Sequence, residues 1–235
     1  MPGGPFPSTR YSLLVELQSE HEPLRLRALD RFVDAYWKPA YKYIRLRWRK
    51  DAADAEDLTQ SFFLNLLEQG LLTRFDAGRA SFRTFLRLSI DSLVQHHHES
   101  ENRLKRGGST IPLSLDFPSA ERELPLAATE ASPEDIFYRE WQRQMFALAV
   151  EDLRHLAQET GRSVQFEIFQ AYDLAAEPRP TYHDLALHHH LTVVTVTNYL
   201  AWARRELRRL TLERLAGITS GESEFRTEAQ RLFAP

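Results

Sequence analysis

Apolar side chains recur at three- and four-residue intervals along most of this chain, and no stretch alternates polar and apolar as a half-buried strand would. A first amphipathic segment spans about Ser8 to Glu20, and a second, from about Leu24, sets Leu26, Leu29, Phe32, Val33 and Tyr36 on one face. Pro39 is expected to end that helix and to sit in the first turn of the next, where its missing N–H does no harm. The next helix turns Tyr41, Ile44 and Trp48 inward and Lys42, Arg45, Arg47 and Arg49 outward. Asp51 to Asp57 reads as an acidic helix start, favoured by the helix dipole. The helix runs through Leu58, Phe62, Phe63, Leu66 and Leu67, with Gly70 as its stop. A loop from Phe75 to Ala80 leads to Ser81, an N-cap for a long helix toward Arg106 that halts at Gly107-Gly108.

The period fails over 109–132, where Pro112, Pro118 and Pro125 stand among Asp116, Glu121, Glu123 and Glu130 with one opposing Arg122. That composition predicts an acidic flexible linker. Ser132-Pro133-Glu134-Asp135 then starts a helix expected to reach about Glu159 and to stop at Gly161. Shorter helices follow near Ser163–Leu174 and after Thr181, with Asp184 three residues on. Thr192 caps a long one to about Leu215. The tail, with a Ser223 cap and Phe225, Ala229, Leu232 and Phe233 at helical spacing, predicts one more amphipathic helix. It is expected to dock on the second bundle or to regulate access to DNA or a partner. The expected fold is all-α: two helical bundles joined by an acidic flexible linker, the second with a helix-turn-helix. The divisions fall at 8–108, 109–132, 133–216 and 217–235.

Composition narrows the function. At 43% hydrophobic and 27% charged, the 235-residue chain is globular. A formal net charge of -3 argues against a general polyanion binder and leaves DNA binding to local patches. The chain has no cysteine, which excludes disulfides, thiol nucleophiles and Cys-based zinc sites. No apolar run approaches the roughly 18 residues of a membrane span, and the N-terminus has no signal core, so a cytoplasmic protein away from the membrane is expected. No phosphate loop, nucleophile elbow or zincin motif is present, so neither a catalytic residue nor a cofactor is expected. The triplets His96–His98 and His188–His190 fan apart by roughly 100° per residue on a helix, which does not suit a shared metal.

The last two helices before the tail follow helix-turn-helix grammar. The short one turns Tyr182, Leu185 and Ala186 to a core, and the next buries Val193, Val196 and Leu200. Thr192, Thr195, Thr197, Asn198 and Ala201 are then placed to reach base edges, and Arg204, Arg205 and Arg208, followed by Arg209, to meet phosphates. The turn places His190 where a left-handed residue, often glycine, is expected.

The first bundle carries a more specific string: Asp54-Ala55-Glu56-Asp57-Leu58-Thr59-Gln60, then Phe75-Asp76, Gly78 and Phe82-Arg83-Thr84-Phe85-Leu86-Arg87. In order and spacing it resembles the polymerase-binding and promoter-melting region of bacterial RNA polymerase sigma factors. Lys105-Arg106-Gly107-Gly108 and Leu113-Ser114-Leu115-Asp116 are similar to a subgroup of the extracytoplasmic-function type. Thr195 to Leu200 with Arg204-Arg205 is similar to that family's promoter-reading helix, and the resemblance covers roughly residues 10–216.

The resemblance implies that Asp54, Glu56, Asp57 and Gln60 bind the clamp of the largest subunit of core RNA polymerase. It implies that the loop from Phe75 and the helix after it engage the −10 element of promoter DNA. Arg79, Arg83, Arg87, Arg103, Lys105 and Arg106 then face phosphate, with Ser92, Gln95 and His96 further along. Phe82 and Phe85 are expected in the core. Relatives carry a basic pair and an aromatic where this chain has His98, Glu99 and Ser100, which predicts weaker backbone contact and greater salt sensitivity. Thr59, within the clamp-facing segment, is a candidate for phosphorylation by a Ser/Thr kinase. An anti-sigma factor would be a second kind of regulator. Two other readings stay open: a stand-alone helix-turn-helix regulator, and a sigma-like interaction module with weakened DNA binding.

Overall fold

The computed structural model describes residues 13–68, 71–76, 78–100, 115–124 and 131–233, with side chains at 67, 68, 71, 73 and 98–100 left out. Among these residues the chain is all helix, without a strand. The helices are α1 (Leu13–Leu17), α2 (Glu22–Arg47), α3 (Ala52–Glu68), α4 (Phe82–Ser100), α5 (Phe117–Arg122), α6 (Pro133–Glu159), α7 (Ser163–Phe169), α8 (Tyr182–His188), α9 (Val193–Ile218) and α10 (Glu222–Phe233). A 3-10 turn covers Leu71–Arg74, and a π-helical turn, Gln170–Leu174, extends α7. No described helix is long and apolar enough to cross a membrane.

The chain divides into two compact units, residues 1–144 with 217–235, and residues 145–216. The division falls inside α6, after Gln144, where the sequence placed a boundary at 133. Residues 217–235 fall in the first unit; the sequence expected the tail to dock on the second bundle or to regulate access to DNA or a partner.

The first unit is built on aromatics. Phe32 lies 5.2 Å from Tyr36, 5.5 Å from Phe63 and 6.1 Å from Phe82 by ring centroids, tying α2 to α3 and α4. Leu58, Phe62, Leu86, Ile90 and Val94 complete the buried stripes, and Phe137 of α6 meets Tyr43 edge-on. Pro39 does not end α2, which runs through it. A mid-helix proline costs about 3 kcal/mol. Here Ala35, Tyr36 and Trp37 before it and Ala40, Tyr41, Tyr43 and Ile44 after it are all buried, and that burial outweighs the lost backbone bond.

The expected acidic tether is in part an ordered helix. Asp116 caps α5 by accepting from the Ser119 N–H at 3.1 Å, and Phe117 packs against the rings of Trp37 and Tyr41. Glu121 accepts from Arg45 Nε at 3.0 Å and the Tyr41 hydroxyl at 2.6 Å. Glu123 takes Lys38 and Lys42 at 2.8 and 2.7 Å. Lys42, expected to face outward, is buried, with Glu140 of α6 as a second carboxylate 3.4 Å away. The rest of 109–132, residues 109–114 and 125–130, lies outside the described residues.

This docking sets a pH dependence. The bond from Arg45 holds the Glu121 carboxyl below its usual range. For Glu123, burial pushes upward but the Lys38 and Lys42 bonds win and lower it. Carboxyls depressed in the folded state contribute stability above the unfolded value of about 4.3, lost as pH falls through the folded values. Acidification from about pH 6 to about pH 3 should therefore release α5, read as a change in Trp37 fluorescence and faster amide exchange over 117–122.

In the second unit, α7, α8 and α9 close over Leu153, Ala157, Phe166, Ile168, Phe169, Leu185, Val196, Leu200 and Ala203. Two helix ends share one geometry. After α6, Gly161 (φ +67°) lets Arg162 N–H donate to Ala157 O at 2.7 Å and its own N–H to Gln158 O. After α8, His190 (φ +54°) does the same, with Leu191 N–H on Ala186 O at 2.8 Å. A non-glycine residue there carries strain on the order of 1 kcal/mol. His190→Gly should therefore hold or raise the second unit's stability by up to about 1 kcal/mol, measured by thermal unfolding.

Candidate polymerase and nucleic-acid interfaces

The acid-rich start of α3 is fixed by Asp51, whose Oδ1 accepts from the Asp54 N–H at 2.9 Å. Ala55, Leu58, Thr59, Phe62 and Phe63 turn inward. Asp57 is exposed, and Asp54, Glu56 and Gln60 are half-buried. Asp54, Asp57 and Gln60 recur every third residue, which puts them along one side of the helix. Asp54 lies 3.5 Å from Lys50, and Asp57 stands more open than any of the other three. Thr59 does not face outward with them, as phosphorylation would require. It is fully buried and its hydroxyl donates to Ala55 O at 2.6 Å, so as folded it is out of a kinase's reach. The helical period, 3.6 residues, carries Thr59 to the core side.

The loop before α4 is shaped by Asp76, which accepts from the Gly78 N–H at 2.9 Å. Arg79, next to it, is 87% exposed in its side chain and 3.3 Å from Asp76. Ser81 caps α4 by accepting from the Thr84 N–H at 3.2 Å. Phe82 is buried as expected, while Phe85 is half-buried.

Arg83 and Arg87 were expected to face phosphate, and the structure gives both other partners. Arg83 donates to both oxygens of Glu228 on α10, at 2.6 and 2.9 Å, with side chains 7% and 4% exposed. Its guanidinium lies 4.3 Å from the Tyr138 ring and 4.7 Å from the Trp141 ring. Arg87 donates to Asp91 at 2.9 Å, and Asp91 also accepts from the Tyr43 hydroxyl and Trp48 Nε1. Burial first, then that bond, pushes the Tyr43 phenol up to about 12.

Ser92, Gln95 and His96 share an exposed side of α4. Ser92 and His96 also line a cavity of about 160 Å³ with Phe62, Asn65, Arg74, Ser89 and Leu93. Asn65 and Arg74 were missed, because each sits outside the string that drew attention. Arg103, Lys105 and Arg106 lie outside the described residues, as do the side chains of His98, Glu99 and Ser100.

In the second unit, Thr181 and Asp184 form a reciprocal capping box on α8, and Thr192 caps α9 by accepting from the Thr195 N–H at 3.1 Å. Thr192, Thr197, Asn198, Ala201, Arg204, Arg205 and Arg208 are exposed, and Thr195 is half-buried with its hydroxyl paired to Thr192. Val193, placed in the core by the pattern, is 42% exposed, and Val194 beside it is 69% exposed. Arg204 grips Asp173 with two bonds of 2.8 Å, which raises its already high pKa. Arg209 pairs with Glu206 and Glu213. The exposed side of α9 therefore mixes apolar, amide and hydroxyl groups, the set that reads base edges in a major groove.

The first unit, then, holds a helical bundle with an acidic outer side on α3 and a polar side on α4. Residues 27–104 match the Sigma-70 region 2 family, so this segment carries a sigma-factor domain for polymerase binding and promoter melting. No curated protein and no solved structure matches the chain.

Proposed function

We propose that this protein is a sigma factor of the extracytoplasmic-function type. It binds the clamp of core RNA polymerase through Asp54, Glu56, Asp57 and Gln60, directs it to a promoter set and helps melt the −10 element. The observation that carries this reading is the region 2 match over 27–104, which spans α3, the loop at Asp76 and α4. A carboxylate-lined side with Asp57 at its most open point suits a basic partner surface, where complementary charge sets register and speeds association. Arg79, Ser92, Gln95 and His96 serve the melted strand, and the exposed side of α9 docks at the −35 element through Val194, Thr197, Asn198 and Ala201. Arg205 and Arg208 meet phosphates there. The protein carries out no bond chemistry; binding energy drives strand separation.

Two observations favour other readings. Helices α8 and α9, joined by the turn at His190, suit a regulator that binds DNA alone, and the partnered state of Arg83 and Arg87 fits a sigma-like module with weakened DNA binding. A mobility-shift selection from random duplex DNA separates all three. The sigma reading expects sequence-selective retention only when chain and core polymerase are both present. Selection by the chain alone supports the regulator, and no selection under either condition supports the weakened module.

A further inference from the structure

Helix α10 is fastened to the first unit by carboxylates. Glu224 Oε1 accepts from the Phe82 N–H, the first of α4, at 2.8 Å, and its other oxygen takes the Ser220 N–H and hydroxyl at 2.7 and 2.6 Å. One turn on, Glu228 fills the fork of Arg83 between the Tyr138 and Trp141 rings. Glu228 is the buried residue of α10, whose apolar positions Phe225, Leu232 and Phe233 are only half-buried. The buried contacts of this helix with the first unit therefore include carboxylates that occupy donors on α4. The donors it occupies are a helix N-terminal N–H and a bidentate guanidinium walled by aromatics, both of which bind phosphate oxygens well. Two acids spaced i and i+4 present their oxygens on one side of α10, as successive phosphates of a strand would.

We propose that the first turn of α4 with Arg83 is a phosphodiester site for single-stranded promoter DNA, and that α10 occupies it with Glu224 and Glu228 as a displaceable mimic. The proposal rests on the sigma reading above. When the strand arrives, phosphate oxygens replace the two carboxylates, Arg83 keeps an anionic partner and α10 lifts away.

The test uses the full chain bound to core polymerase and fluorescein-labelled random-sequence single-stranded DNA. Glu224→Gln with Glu228→Gln should tighten binding about tenfold at low salt and steepen the log–log salt dependence by about 0.7 for each phosphate gained. Adding Arg83→Gln should abolish the gain. A control removing equal charge from exposed positions, Glu20→Gln with Glu222→Gln, should leave the slope unchanged, and an equal gain in that control overturns the proposal. The wild-type chain supplies a readout independent of whether the variants fold: on adding the DNA, amide exchange across 222–233 should quicken while 82–97 stays protected. Protection of α10 that persists while DNA binds overturns the proposal. So does an unchanged affinity and slope in the double variant that still binds core polymerase, an outcome that leaves the sigma reading intact. If no form of the chain is retained by core polymerase, that reading falls and this proposal with it.

Discussion

Phe32→Ala should lower the stability of the first unit by about 3–5 kcal/mol, the range for removing a fully enclosed phenyl ring. Phe32 is wholly buried and meets Tyr36, Phe63 and Phe82, so its loss opens a cavity where α2, α3 and α4 converge. These are the elements that carry the acidic side of α3 and the polar side of α4, and the backbone around three large rings has little room to collapse. Trp37, Trp48 and Trp141 belong to the first unit and Trp202 to the second. In urea, the fluorescence transition of the first three should move to lower denaturant with an unchanged slope, and that of Trp202 should stay in place. A shift below about 1 kcal/mol would mean the ring cluster is not the keystone of this unit.

Arg83→Leu should have an effect of similar size, about 3–5 kcal/mol, for a different reason. It leaves the Glu228 carboxylate, whose side chain is 4% exposed, without a counter-charge, and the destabilisation comes from that stranded charge. Arg83→Leu with Glu228→Leu should therefore recover most of the loss, since a buried pair replaced by apolar groups is often close to neutral. A double-mutant cycle by urea unfolding reads the coupling directly. Additive losses would show that Arg83 stabilises by packing alone.

The sequence pattern located the helices well where caps and breakers were strong. Ser132 with Asp135, Thr181 with Asp184 and the Gly161 stop all lie where their chemistry put them. Pro39 misled because a local penalty was weighed without the aromatic burial on both sides of it. Helix α5 was invisible for two reasons. Six residues are too few to show a period, and its acids find partners on α2 that lie some eighty residues away in sequence. The candidate site divides along the same line. Residues on exposed helix sides, such as Asp57, Thr197 and Asn198, follow from the 3.6-residue repeat. Thr59 followed the motif rather than the repeat and landed in the core. The partners of Arg83 come from α6 and α10, and no spacing rule links such distant positions.

Engagement of core polymerase by the acidic side of α3 is the contact on which the proposed function turns. A pull-down with purified core enzyme, comparing the wild-type chain with Asp57→Arg, tests this directly. Asp57 is exposed on a helix whose core side it does not touch, so the variant should fold normally by circular dichroism. Replacing its charge with the opposite one should lower retention at least tenfold, the effect of a like-charge contact in a complementary interface. Full retention of the folded variant, or failure of the wild-type chain to bind core enzyme at all, would contradict the account.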